Sequence, residues 1–195
     1  MAKVRTPRTA WVDAALEALA EGGPDAVRVE VLASRLGVTK GGFYWHFTDR
    51  PALVAETLDT WERRVVEDVI ARLEGEDVDG RTRLRHLFEL ASAPGVHRVE
   101  LAVRDWARRD PEVAARLHRV DTRRLGYLRT LFLELGADAT EAEARGLTAL
   151  ALFVGSPLIR ADHPDQSRRD VLEQATDRLL EPPRQPVRAL SRGET

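Results

Sequence analysis

Residues 36–47 combine side-chain types that a buried core rarely uses together. Within twelve positions the segment holds three glycines, a threonine, a lysine, a tyrosine, a tryptophan and a histidine. Hydroxyl, ammonium and imidazole groups can bond phosphate oxygens, and lysine can also reach a guanine edge. Glycine lets a backbone approach another molecule closely. The segment therefore predicts a surface that contacts the phosphate backbone and the base edges of a nucleic acid.

Two helices joined by a tight turn are predicted to position this segment. The first spans about 28–36 and ends at Gly37. Its apolar residues have the spacing of one helix face: Val29, Leu32, Ala33 and Leu36. The second helix is short, spans about 39–46 and has Thr39 at its N-cap. This arrangement is typical of a helix-turn-helix, whose second helix enters the DNA major groove.

Each residue type of the second helix suits a different contact with a duplex. Gly41 and Gly42 allow the backbone to come close. Lys40 can reach a phosphate or a guanine edge, and Tyr44 and His46 can bond phosphate oxygens. A partly buried aromatic is the alternative interpretation of Tyr44, but the flanking lysine and histidine favour the phosphate contact.

Further contacts are predicted around the helix-turn-helix. Thr39 offers a hydroxyl group, and Arg28 starts the first helix at the end that faces the backbone. The first ten residues carry three cations and no acid: Lys3, Arg5 and Arg8. These cations are interpreted as a basic arm for phosphates. A solvated terminus is the alternative.

The other aromatic residues of the segment have different predicted roles. Phe43 and Phe47 are separated by one helical turn on the inner side, which predicts that they belong to the core. Trp45 has two open interpretations. It contacts a sugar or a thymine methyl group in the groove, or it packs on the first helix of the chain.

Composition limits the class of protein. The chain has 195 residues, is 43% hydrophobic and 32% charged, and has a formal net charge of −2, which excludes a chain that is basic throughout. It contains no cysteine, so disulfide and thiol chemistry are excluded. No apolar run approaches the length of a membrane span, and the N-terminus lacks the apolar core of a signal peptide. A cytoplasmic protein is therefore expected.

The whole chain is predicted to be all-α. Alanine, leucine, glutamate and arginine dominate, and strand-like alternation is rare. About nine helices are predicted, at 7–21, 28–36, 39–46, 49–74, 82–93, 98–108, 111–135, 140–154 and 168–180. The predicted domains are a DNA-binding unit at 1–50, a larger helical body at 51–182 and a disordered tail at 183–195.

Residues 9–53 resemble the DNA-binding domain of the TetR family of bacterial transcriptional regulators. The resemblance lies in the following residues: Asp13-Ala14-Ala15-Leu16, Leu32-Ala33, Leu36-Gly37-Val38, Thr39-Lys40-Gly41, Phe43-Tyr44, His46-Phe47 and Ala52-Leu53. It covers about the first quarter of the chain. For the rest, it implies a helical body that binds a ligand and forms the dimer.

The resemblance also implies roles for single residues. Lys40, Tyr44 and His46 occupy positions that usually touch the operator, and Gly42 and Trp45 occupy positions where base preference is often set. Arg50 matches the usual basic residue at the start of the fourth helix. Two positions depart from the family. Gly42 stands where Ser or Thr is usual, and Pro51 stands where a charged residue is common.

The body offers candidates for a ligand pocket among its aromatic and polar residues. His86, Arg104, Trp106 and Tyr127 are predicted to line a pocket among the helices between about 82 and 154. Plain core residues are the alternative interpretation. The histidines have no metal-ligand spacing, so neither a metal nor a cofactor is expected. No catalytic constellation is visible in the sequence, and an enzyme is not expected.

The last two predicted helices carry apolar stripes that suit a dimer interface. The stripe residues are Leu147, Leu150, Ala151, Val154, Val171, Leu172, Ala175 and Leu179. The alternative is a core within one chain. By resemblance, the two helices form a four-helix interface with their counterparts, and the small residues Gly146, Ala149 and Gly155 favour close helix packing.

The sequence thus predicts a homodimeric, ligand-responsive repressor that binds a pseudo-palindromic operator. A transcriptional activator is one alternative, because sequence does not encode the direction of regulation. A helical ligand-binding or enzymatic protein with no DNA role is the other. The two classes differ in whether the protein binds DNA at low salt.

Overall fold

The structure, a computed structural model, describes residues 6–91 and 95–181, and that part of the chain is all-α, as predicted. Its helices are α1 (Arg8–Gly22), α2 (Val29–Arg35), α3 (Lys40–Phe43), α4 (Arg50–Val65), α5 (Glu67–Glu74), α6 (Gly80–Ala91), α7 (Val96–Ala107), α8 (Pro111–Glu134), α9 (Ala139–Gly155) and α10 (Arg168–Leu179). Short 3₁₀ turns follow α1 and α9. Lys3, Arg5 and the predicted tail at 183–195 lie outside the described residues.

Local side-chain caps start several of the helices. The carboxylates of Asp49, Asp110 and Asp138 accept backbone N–H groups at the starts of α4, α8 and α9. Ser167 and Asp170 form a reciprocal capping box at the start of α10. Thr39 occupies the N-cap position of α3, as predicted, but within the described residues its hydroxyl makes no capping hydrogen bond.

The helix predicted at 49–74 is two helices in the structure. Val66 separates α4 from α5 with φ −125° and ψ −74°, outside the helical region. No glycine or proline lies between residues 52 and 74, so the sequence gives no local signal for the break. The side chain of Val66 is buried in the core, so the break lies at a packed position of the chain.

One core cluster runs from the N-terminal helices into the body. Trp11, Ala15 and Leu19 of α1 are buried in the same cluster as Val103 of α7 and Val120 of α8. Helix α1 packs on both α4 and α7. The first helix of the helix-turn-helix unit is therefore in direct contact with the body.

A second core cluster joins α6, α8, α9 and the end of α10. Phe132 and Leu150 lie within it. Gly146 on α9 permits a close crossing with α8, because a Cβ at this position would lie 3.6 Å from the Cβ of Leu128. The predicted close packing of small residues at Gly146 thus serves an interface within the chain.

Buried charges connect α7 to α8. The side chain of Glu100 is 1% exposed, and its carboxylate accepts hydrogen bonds from Arg104 at 2.7 Å and from Arg124 at 3.0 Å. Arg104 also donates to Asp121 at 2.6 Å. Burial alone would raise the pKa of Glu100, but the two arginines outweigh it and the net pKa is lowered.

Candidate DNA interface and ligand cavity

The turn between α2 and α3 is a Schellman motif. The N–H of Val38 donates to the carbonyl of Ala33 at 2.9 Å, and the N–H of Gly37 donates to Ser34 at 3.1 Å. Gly37 has φ +65°, which a residue with a side chain adopts only with strain. The turn therefore fixes the direction in which the chain enters α3.

Two phenylalanines hold α3 against the core, as their spacing predicts. Phe43 and Phe47 are buried, and their rings stack with centroids 5.4 Å apart. Trp11 of α1 meets Phe43 edge-on at 5.5 Å. Helix α3 is shorter than the predicted span of 39–46, because the chain turns after Phe43.

Two large aromatic side chains project from the outer side of this segment. Tyr44 is 64% exposed and Trp45 is 74% exposed. Both side chains are therefore largely accessible to solvent. A Cβ at Gly42 would make only ordinary contacts, 3.8 Å from Trp11 and 3.9 Å from Val38. Position 42 can therefore carry a side chain without displacing its neighbours.

The small and charged residues beside these aromatics are also accessible. Gly41, Thr39 and Arg28 are exposed. The ammonium group of Lys40 pairs with Glu30 at the start of α2, and both side chains are more than half exposed. An exposed pair of this kind contributes little to stability, so Lys40 can exchange Glu30 for a phosphate.

Two other predicted contacts are engaged within the protein. The Nε of Arg50 donates to the carbonyl of Val27 at 2.7 Å, and a terminal nitrogen donates to Pro24 at 2.5 Å. The Nε2 of His46 lies 2.9 Å from the carbonyl oxygen of Thr6. Both side chains hold the helix-turn-helix together, in addition to any contact with DNA.

Arg8, the one cation of the predicted basic arm that is described, is held by the protein. Its guanidinium donates to the carboxylate of Glu56 on α4 at 2.9 Å and to the carbonyl of His46. It also lies 4.1 Å from the ring centroid of Phe47. Arg8 therefore ties the start of α1 to α4 and to the end of residues 39–46, which are called the recognition segment below.

A cavity of about 730 Å³ lies between α1 and the body. Residues of seven helices, α1 and α4 to α9, line it, and most of them are apolar. Its aromatic members are Trp61, Phe88, Tyr127 and Phe153. The volume is within the range of small-molecule pockets, about 300–1,000 Å³.

Of the four predicted pocket residues, only Tyr127 lines this cavity. His86 lies 2.5 Å from the carboxylate of Glu76, Arg104 belongs to the buried Glu100 cluster, and the indole nitrogen of Trp106 donates to Asp110 at 3.1 Å. Each of these three polar groups is thus held by an acidic neighbour away from the cavity. These residues were predicted from their types alone, because a single sequence does not give the rotation of each helix about its axis.

The cavity lining carries three acids and three arginines. Asp13 and Arg64 pair with each other at 2.7 Å. Arg124 is bound to Glu100 and lies 5.2 Å from the ring centroid of Phe153. The formal charges of the lining residues therefore sum to zero, and Arg124 is already paired with Glu100.

Tyr127 contributes the polar group of the aromatic wall. Its hydroxyl donates to the carboxylate of Glu74 at 2.8 Å. Burial and this carboxylate raise the pKa of Tyr127. The hydroxyl group of Tyr127 therefore stays protonated and hydrogen-bonded to Glu74 on α5.

The sequence did not identify the part of the cavity that α1 provides. Asp13, Leu16, Glu17, Ala20 and Glu21 all line it. The sequence did carry a signal for this face. Asp13, Glu17 and Glu21 recur every four residues and therefore lie on one side of a helix.

The predicted dimer surface is only partly exposed. Leu147 is 59% exposed and Ala151 is also exposed, and Leu158 and Ile159, which follow α9, are exposed as well. Leu150 instead belongs to the second core. The other stripe residues are half-buried: Val154, Val171, Leu172, Ala175 and Leu179.

Membrane-spanning helices and metal-ligand clusters are both absent from the described ranges, 6–91 and 95–181. No helix there is long and apolar enough to span a bilayer. In the same ranges no three histidine or acidic side chains are grouped as metal ligands would be.

Residues 12–57 match the family described as bacterial regulatory proteins, tetR family. The match covers the helix-turn-helix and the start of α4, and it confirms the resemblance seen in the sequence. No curated protein matches the chain.

Solved structures of regulators have the same fold over most of the chain. A transcriptional regulator from Rhodococcus sp. Rha1 is 22% identical, with 90% of this chain and 94% of that chain covered and a TM-score of 0.62. A regulator from Saccharomonospora viridis, solved in complex with choline, is 19% identical, with 89% and 94% covered and a TM-score of 0.70. The fatty acid degradation regulator FadR from Bacillus halodurans is 18% identical, with 89% and 98% covered and a TM-score of 0.61.

Proposed function

We propose that the protein is a ligand-responsive, homodimeric repressor, on the premise that residues 12–57 match the tetR family of bacterial regulatory proteins. Residues 1–50 bind the operator, and residues 51–182 bind the effector and the second subunit. The observation that carries the proposal is the exposure of Lys40, Tyr44 and Trp45 on a recognition segment whose entry is fixed by a Schellman turn.

The operator contact follows from this geometry. Lys40, Tyr44 and His46 contact phosphates, and Gly42 and Trp45 lie where base edges are within reach. Two copies of the recognition segment contact successive major grooves when they are about 34–36 Å apart, or a multiple of that distance. The operator is therefore a pseudo-palindrome.

The dimer uses the exposed surface of α9 and α10. Leu147, Leu158 and Ile159 are large apolar side chains left exposed in the monomer, and an interface between two subunits would cover them. Leu150 supports the interface from inside the core. The second subunit sets the distance between the two recognition segments.

The effector occupies the cavity between α1 and the body. Its binding shifts the population of dimers toward a spacing that no longer fits the operator. Couplings of this kind typically amount to about 1–3 kcal/mol. Choline, the ligand of the Saccharomonospora viridis regulator, is one compound with which to test whether the cavity is an effector site.

An electrophoretic mobility shift assay on DNA from upstream of the gene tests operator binding. The double variant Lys40→Ala, Tyr44→Ala is expected to lose about tenfold or more in affinity. The matched control is Asp105→Ala, Arg109→Ala, which removes an exposed ion pair on α7. Unchanged affinity of the Lys40, Tyr44 variant would overturn the contact assignment.

Salt dependence and a reporter gene test the rest of the function. Affinity falls steeply with salt if several phosphates are contacted. Absence of binding at low salt would favour a helical ligand-binding protein with no DNA role. Deletion of the gene raises expression from the operator if the protein is a repressor and lowers it if the protein is an activator.

A further inference from the structure

Helix α1 faces two parts of the molecule at once. On one side, Trp11 contacts Phe43, which anchors the recognition segment. On another side, Leu16, Glu17 and Ala20 line the cavity. Helix α1 therefore contacts both the recognition segment and the cavity.

The opposite walls of the cavity belong to the body. Val69 on α5, Phe88 on α6 and Phe153 on α9 contribute to them. The ion pair of Asp13 on α1 with Arg64 on α4 joins the α1 wall to the body at the cavity lining. An occupant that fills the cavity therefore contacts the body and the DNA-binding unit together.

Charge limits what the cavity can bury. Five of the six charged lining residues are exposed, and the sixth, Arg124, is bound to Glu100. The exposed members include Glu17 and Arg98, whose charges are opposite. A ligand charge buried against the apolar part of the lining would be unpaired there, and burial of an unpaired charge is costly.

We propose that Leu16, Glu17 and Ala20 form one wall of the effector site, and that the effector has an uncharged apolar body which contacts α1 directly. The effector thereby acts on the DNA-binding unit through α1 itself, as well as through α4. This inference rests on the proposed function, because it takes the cavity as the effector site.

Three probes with the same decyl chain test the ligand class. Isothermal titration calorimetry is performed with decanol, decanoate and decyltrimethylammonium. Decanol is expected to bind the wild-type protein about tenfold or more tightly than either ion. Tighter binding of either ion would overturn the assignment of an uncharged occupant.

Substitution tests the α1 wall. Ala20→Trp places a large side chain in the cavity and is expected to weaken decanol binding by about tenfold or more. The matched control is Thr9→Trp, at an exposed position of α1 outside the lining, and it retains the affinity of the wild-type protein. Equal affinity of the Ala20 variant and the control would overturn the proposed wall.

Photolabelling tests the same wall without any substitution. A decanol with a diazirine group is bound to the wild-type protein and irradiated, and the tryptic peptides are identified by mass spectrometry. Trypsin releases residues 9–28 as one peptide, because neither lysine nor arginine lies between Arg8 and Arg28. Label on this peptide and on peptides of the body is expected, and label on the body alone would overturn the proposal.

The experiments separate this inference from the proposed function. Operator binding by the wild-type protein without decanol binding would overturn the α1 site and leave the DNA-binding function standing. Decanol binding with label on 9–28, but without operator binding, would support the site and overturn the proposed repressor.

Discussion

Arg50 donates a hydrogen bond from Nε to the backbone carbonyl of Val27 at 2.7 Å. This bond ties the start of α4 to the turn that precedes α2. A second bond, to Pro24, extends the tie to the 3₁₀ turn after α1. The basic residue at this position therefore stabilises the arrangement of the DNA-binding unit, whether or not it also contacts a phosphate.

Arg50→Ala is expected to lower the free energy of unfolding by about 1–2 kcal/mol, because it removes charged donors from two carbonyls. Urea denaturation followed by circular dichroism measures the change. Arg50→Lys does not restore stability, since an ammonium cannot reproduce the fork of the guanidinium. Arg109→Ala, which breaks an exposed ion pair, serves as the control and has little effect.

The two variants Gly37→Ala and Gly42→Ser are expected to have different effects. Gly37 has φ +65°, so alanine there strains the turn and costs about 1–2 kcal/mol of stability. Gly42 has room for a side chain, so serine leaves stability almost unchanged and alters which operator bases are preferred. Thermal unfolding and selection of binding sites from random DNA measure the two effects. Loss of stability in Gly42→Ser would contradict the role assigned to that position.

The helix-turn-helix was predictable because its signals are local. Gly37 after an amphipathic helix predicts the turn, and Phe43 and Phe47 at one-turn spacing predict the inner side of the segment. The structure places all three as expected. The second roles of Arg50 and His46 were missed, because their partners are carbonyl groups distant in sequence.

The body was predictable in its helices but not in its cavity. The break at Val66 has no local signal, and His86, Arg104 and Trp106 do not line the cavity between α1 and the body. Whether a polar residue faces a cavity depends on the rotation of its helix and on partners from other helices. Glu100, which holds Arg104 and Arg124, is such a partner, and single-sequence periodicity does not identify it.

Removal of the Glu100 charge is expected to destabilise the protein. Glu100→Gln leaves Arg104 and Arg124 without their shared buried carboxylate, which costs about 3–5 kcal/mol at neutral pH. Urea denaturation of the variant and the wild type measures this difference. Asp105→Asn, in an exposed pair with Arg109, is the control and changes stability by much less.

The difference in stability between the wild type and Glu100→Gln is also expected to depend on pH, because the carboxylate of Glu100 titrates. The pKa of Glu100 is lowered in the folded protein, so its stabilisation is fully present above the unfolded pKa of about 4.3. It is lost as the pH falls through the lower, folded pKa. The difference between wild type and Glu100→Gln is therefore expected to shrink on acidification, and a constant difference would contradict the lowered pKa.

Leu147→Glu is expected to dissociate the proposed dimer. Leu147 is 59% exposed on α9, so the substitution leaves the monomer core intact. In the dimer it places an unpaired carboxylate in an apolar interface, which raises the dissociation constant by about a hundredfold. Analytical ultracentrifugation measures that constant, with Leu133→Glu on α8, also an exposed leucine, as the control. A dimer that is weakened equally by both variants, or by neither, would place the subunit contact elsewhere on the molecule.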